Sequence, residues 1–290
     1  MNVHRYITVS LTGLLCACLL QGCTGMRDTA DREQLFRGKA SFGKLVPAVR
    51  QSPLVTYCRP ATVDSVDYGI RQFPATAASG RQSLLVTERV QGITGMTASA
   101  TGEIPMGLPG IDDWENSRGQ IVSCGGLLTL AFSEVLSGGN DSLRCDDPLA
   151  INGARLGSPN RRYALTQVSD YSGELFPLRV GNVLSFGYTA LLRSWSGQTV
   201  CSERRFRMQT QYTVLSANDK FAINGRPVPG RVYLVERTLT DTDSGERVLR
   251  DYYYSADLGW VVMAVDYVDG MPGMVRELAT GDSAVNAAGE

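Results

Sequence analysis

Residues 205–214 alternate without a break: Phe206, Met208, Thr210, Tyr212 and Val214 fall on one parity, Arg205, Arg207, Gln209, Gln211 and Thr213 on the other. A period of two sustained this long predicts an antiparallel strand with one face toward a core and the other toward water. Comparable runs follow at 231–239, 246–254 and 260–268, separated by Asn224-Gly225, Asp243-Ser244-Gly245 and the cluster from Ser255 to Gly259. Those clusters carry the residues that tight turns require. Connections this short leave no room for helical crossovers, so residues 163–280 are expected to form an antiparallel meander or half-barrel.

Residues 51–162 are patterned less regularly, and an irregular, disulfide-bearing β region is expected there. Residues 54–58 and 83–90 read as strands, while 74–80 and 92–110 read as loops rich in Gly, Pro, Ser and Thr. The apolar run 121–136 fits strand or helix by periodicity, and Gly125-Gly126 tilts it toward a strand, or a strand followed by a short helix. Residues 24–50 read as a tether, helical or extended, with Gly38, Gly43 and Pro47 set against a stable helix. Residues 281–290 are small and polar, a loose tail. The fold class expected throughout is mainly β.

The N-terminus changes the picture from fold to address. Arg5 precedes an uncharged, mostly apolar run from Tyr6 to Leu20, which has signal-peptide length and is short for a membrane-spanning helix. Leu20-Gln21-Gly22-Cys23 then resembles the lipobox of bacterial lipoproteins. That resemblance implies removal of residues 1–22, acylation (palmitate or a similar chain) of Cys23, and a lipid anchor with its tether over 23–50. An earlier match, Leu15-Cys16-Ala17-Cys18, would place the anchor at Cys18; the apolar run continues through Leu20, which favours Cys23. Thr24, in place of Asp, resembles the outer-membrane sorting default of enterobacterial lipoproteins, so the periplasmic face of the outer membrane is the expected location.

Export also fits the remaining cysteines. Cys58, Cys124, Cys145 and Cys201 are an even number at wide spacing and read as two disulfides. Of three connectivities, Cys124–Cys145 with Cys58–Cys201 is favoured here.

Composition excludes more than it offers. Formal charge is −1, so nothing indicates a nucleic-acid partner. The single histidine, His4, lies in the segment expected to be removed, which excludes Ser-His-Asp and Cys-His catalysis and histidine-ligated metals in the mature chain. No cofactor or metal is expected.

Each candidate motif has a plainer reading. Gly38-Lys-Ala-Ser-Phe-Gly-Lys44 has the outline of a phosphate-binding loop, but Leu45 stands where Ser or Thr would hold Mg²⁺. Ser41-Phe-Gly-Lys44 has the Ser-x-x-Lys spacing of penicillin-binding enzymes without the companion motifs. Asp241, Asp243 and Glu246 resemble part of a calcium loop and read better as a hairpin turn. Asp112-Asp113 with Glu115, and Asp146-Asp147, could supply acid and base for sugar cleavage only if they face one another across a cleft. Tyr252, Tyr254 and Trp260 could line a ligand groove, although alternation puts at most two of Tyr252, Tyr253 and Tyr254 on one face and core packing is favoured.

The order Phe176-Pro-Leu-Arg-Val-Gly181, Pro229-Gly-Arg-Val-Tyr-Leu-Val235 and Tyr253-Tyr-Ser-Ala-Asp-Leu-Gly-Trp-Val-Val262 resembles uncharacterised envelope lipoproteins of Gram-negative bacteria that end in β-domains. More distantly it is similar to half-barrel lipoprotein-localisation factors. The resemblance brings no catalytic residues. It implies a lipid-anchored envelope component that binds a protein, polysaccharide or lipid partner without catalysis; the alternatives are an Asp/Glu hydrolase of envelope polymers and an acyl-chain carrier.

Overall fold

The computed structural model describes residues 58, 61–73, 79–90, 92–102, 117–136, 160–196, 199–279 and 285–287. The strands are β1 (Val63–Gln72), β2 (Ser79–Val90), β3 (Ile93–Gly102), β4 (Ser117–Cys124), β5 (Leu128–Leu136), β6 (Asn160–Gly173), β7 (Val183–Ser196) and β8 (Thr199–Asn218). After them come β9 (Ala222–Ile223), β10 (Arg226–Pro227), β11 (Val232–Asp241), β12 (Arg247–Ser255), β13 (Trp260–Val268), β14 (Met271–Leu278) and β15 (Val285–Ala287). The fold is mainly β, and no helix occurs among the described residues.

The antiparallel meander expected of the C-terminal half runs through the whole described chain. Thirteen strands form one sheet, and β14 turns back to pair with β1 from Tyr68↔Leu278 to Gln72↔Met274. The sheet therefore closes into an up-and-down barrel, which removes the two edges an open half-barrel would leave unpaired. β15 extends the seam by pairing with β1 at Val63, Ser65 and Val66, so three residues of the expected loose tail are in the sheet. The boundary drawn at 162/163 falls inside β6, and β5 pairs across it through Ala131↔Ala164 to Glu134↔Arg161.

Two local expectations change. Residues 93–102, read as loop, form β3, because a strand paired on both sides tolerates the small residues Gly95 and Ala98. The run 121–136 is a hairpin, β4 and β5, with Gly125 and Gly126 at positive φ in its turn. Of the strand expected at 54–58, only Cys58 lies among the described residues.

Register shows which parity faces inward. Val235, Arg237 and Leu239 of β11 stand opposite Tyr252, Arg250 and Val248 of β12, and opposite Val214, Tyr212 and Thr210 of β8. The alternation read at 205–214 is thus realised, with Met208, Thr210, Tyr212 and Val214 buried and Arg205, Arg207 and Gln211 exposed. Phe186 and Tyr212 stack at 6.3 Å, and Tyr212 and Tyr252 at 6.5 Å, carrying an aromatic ladder around the wall.

One end of the barrel is closed by its own turns. The β4–β5 turn folds inward until a β-carbon on Gly125 would lie 2.9 Å from the Tyr254 ring, and one on Gly126 3.0 Å from the Trp260 indole. Only glycine fits both places. The Leu127 carbonyl accepts a hydrogen bond from the Tyr212 hydroxyl at 3.3 Å, and Leu127 is buried. Cys58 is bonded to Cys124 in this turn, with Cα atoms 5.1 Å apart. That corrects the favoured pairing: Cys124 is nearer Cys145 in sequence, but the turn carrying Cys124 lies at the end of the barrel where the chain enters β1. Outside, Phe221 stacks on Tyr253 at 5.0 Å, and Ile223 and Val228 join the core around Val232, Leu258 and Trp260.

Candidate functional site

Beyond the closed end, the inner wall carries chemistry that an apolar core does not need. Three arginines sit at inward positions: Arg237 on β11, Arg250 on β12 and Arg276 on β14. Each covers a tyrosine ring. Arg237 lies over Tyr212 at 5.7 Å, Arg250 over Tyr252 at 5.8 Å and Arg276 over Tyr68 at 5.1 Å. The result is a belt of stacked guanidinium–phenol pairs across β8, β11, β12, β14 and β1.

Hydrogen bonds join neighbouring pairs. Arg237 donates to Tyr188 at 3.3 Å, to Thr210 at 3.4 Å and to the Tyr252 hydroxyl at 3.5 Å. Arg250 reaches the same Tyr252 hydroxyl at 3.5 Å and makes a two-pronged pair with Asp266, one prong at 2.8 Å. Arg276 donates to the Gln82 side-chain carbonyl at 3.4 Å, while its Nε is buried without a partner.

The charges retune the tyrosines. Burial pushes the Tyr252 phenol up, but the guanidiniums of Arg250 and Arg237 outweigh it and hold Tyr252 below the ordinary tyrosine value. Tyr212 goes the other way: burial raises it well above that value, and Arg237 only partly compensates. Burial likewise takes Tyr68 to about 12, against Arg276 and the indole of Trp260. For Arg250, burial opposes the charge, but Asp266 more than offsets it and the guanidinium is raised.

The sequence candidates are dispersed. Tyr252, Tyr254 and Trp260 are all buried, and Tyr252 alone joins the belt. Tyr254 packs edge-on against Phe176 at 5.7 Å beside the inward turn, and Trp260 donates to Tyr68. Asp241 and Asp243 form a hairpin turn: the Asp241 carboxylate accepts from the amides of Asp243 and Ser244, and Asp243 pairs with Arg207. Cys201 lies in β8. Cys23, Cys145, the 38–44 motif, Asp112, Asp113, Glu115, Asp146 and Asp147 lie outside the described residues. The arginines of the belt went unread in the sequence. Their signal was an arginine on the apolar parity of a strand, as in Val235-Glu-Arg237-Thr-Leu239 and Val248-Leu-Arg250-Asp-Tyr252.

No protein-family model matches the chain. No curated protein matches it either. Among solved structures it is similar to the crystal structure of the hypothetical lipoprotein YmcC from Escherichia coli K12, at 11% identity and a TM-score of 0.38, over 82% of this chain and 95% of that one.

Proposed function

We propose that the chain is a lipid-anchored component of the bacterial envelope, held at the membrane through Cys23, whose barrel works in water as a binding or assembly module. The outward parity of the barrel carries this reading. Gln209, Gln211 and Thr213 of β8, Glu236, Thr238 and Thr240 of β11, and Asp251 of β12 point away from the core. A barrel that spans a bilayer needs an apolar outer band, whereas these outward positions of β8, β11 and β12 carry amides, hydroxyls and carboxylates. Such a barrel needs a separate anchor to stay at a membrane, and the lipobox resemblance supplies one.

Binding suits the interior better than hydrolysis or acyl-chain transport. The Asp266 carboxylate is taken up by Arg250 rather than poised across a cleft from a second acid. The guanidinium–phenol belt suits polar ligands rather than hydrocarbon. Placement on the periplasmic face of the outer membrane belongs to the same proposal and rests on Thr24.

The test joins anchoring to partner capture. Cys23→Ser should abolish labelling by a palmitate analogue and release the chain from membranes. The wild-type chain, cross-linked in intact cells, should recover a specific envelope partner and show no turnover of peptidoglycan, glycans or esters. Labelling that survives Cys23→Ser and disappears only with Cys18→Ser would move the anchor. Turnover abolished by a single Asp→Asn or Glu→Gln change would replace binding with hydrolysis.

A further inference from the structure

We infer that the inner belt is a binding site for an oxyanion, a carboxylate or phosphate group, centred on Arg276, Gln82 and Tyr68 beside Arg237 and Arg250. This rests on the reading of the barrel as a binding module and names the chemistry it would recognise.

Three observations lead to it. The first is charge. Across β8, β11, β12, β13, β14 and β1, the described inward residues include three guanidiniums and one carboxylate, Asp266, which pairs with Arg250. Guanidiniums gathered at inward positions raise the local positive potential, which favours an anion.

The second is register. Arg237 and Arg250 are directly opposed across β11 and β12, where like charges repel. Both guanidiniums then turn to one point, the Tyr252 hydroxyl, each at 3.5 Å. Arginine forks gathered on one wall match the planar oxygens of a carboxylate or the tetrahedral oxygens of a phosphate.

The third is an unspent donor. The Nε of Arg276 is buried without a hydrogen-bond partner, although the neighbouring Gln82 side chain is itself buried and accepts from the same guanidinium. A buried donor left open is expensive unless something fills it. The Tyr68 ring, 5.1 Å from its centre, holds that guanidinium against the wall.

Occupancy has an optical signature. The fields of Arg237 and Arg250 lower the Tyr252 phenol, with Tyr212 and Tyr188 the other titratable groups named around it and Asp266 across the strand. An anion among these guanidiniums cancels part of their field, so binding should move the Tyr252 titration toward higher pH.

The experiment uses the full chain in a non-ionic detergent, titrated by calorimetry with inorganic phosphate and separately with glucuronate against chloride of equal ionic strength. At least one oxyanion should bind saturably, and the comparison tells phosphate from carboxylate. Phenolate absorbance near 295 nm should show one tyrosine shifting alkaline on binding and disappearing in Tyr252→Phe. Arg276→Lys keeps the charge but loses the fork, and should weaken binding by about tenfold or more. Arg207→Gln, on the exposed outer face, should stay within about twofold of wild type, the size expected for a screened surface charge. Absence of saturable binding by both anions overturns the inference, as does equal binding by wild type and Arg276→Lys. Either result leaves the cross-linked envelope partner to be judged by itself.

Discussion

The indole nitrogen of Trp260 donates a hydrogen bond to the Tyr68 hydroxyl at 2.7 Å, across 192 residues of sequence. The same hydroxyl donates to the Val261 carbonyl, so one buried oxygen links β1 to β13 across the closing seam of the barrel. The Tyr68 side chain that carries it is 1% exposed.

Tyr68→Phe removes that oxygen and leaves a buried donor and a buried acceptor unpaired. The expected loss is about 1 to 3 kcal/mol, read as a lower urea midpoint at unchanged slope. The same residue sets an alkaline limit. Its pKa rises from 10.0 to about 12 on folding, so the stability it contributes is whole below pH 10.0 and is lost as pH climbs toward 12. Circular dichroism of the wild type should show cooperative unfolding in that window. Tyr68→Phe, less stable at neutral pH, should lose less on passing through it; an unchanged alkaline profile would show that Tyr68 does not set the limit.

The Cys58–Cys124 bond spans 66 residues and fastens the inward turn to the chain entering β1. A loop of that length is worth about 4 kcal/mol in the chain-entropy model, so Cys58→Ala with Cys124→Ala should lower the midpoint by that order. Peptide mapping without reduction should recover the Cys58–Cys124 pair. We expect the second bridge to be Cys145–Cys201, since β5 ends at Leu136, β6 begins at Asn160 and β8 begins at Thr199, all at the opposite end of the sheet from Cys124. Free thiols at Cys58 and Cys124 would contradict both the bridge and an oxidising compartment.

Much of the barrel was legible because strand alternation is a local property. Phe206, Met208, Thr210, Tyr212 and Val214 announce their face without reference to any neighbour. β3 was not legible, since Gly95 and Ala98 carry little apolar signal and are held by pairing to β2 and β4. The same applies to β15, three residues that become a strand only because β1 offers an edge. Closure and the Cys58–Cys124 pairing depend on which turns share an end of the barrel, which spacing along the chain does not encode. The belt was hidden for a different reason. An arginine among apolar positions reads as a fault in the pattern until register shows Arg237, Arg250 and Arg276 on one wall.

Arg250 and Asp266 test whether that wall is built for stability or for use. Their side chains are 14% and 12% exposed, and the pair is two-pronged. Asp266→Ala leaves Arg250 charged and buried without its counter-ion, and should cost about 3 to 5 kcal/mol. Replacing both, as Arg250→Met with Asp266→Leu, removes the two desolvation penalties together with the attraction, and buried pairs treated this way commonly lose little or nothing. The double variant should therefore be much nearer wild type than Asp266→Ala in urea unfolding, with a large coupling energy in the cycle. If the wall exists to bind anions, the stable double variant should also bind phosphate or glucuronate more weakly than wild type. A double variant as unstable as Asp266→Ala would instead make the pair a structural necessity of the barrel.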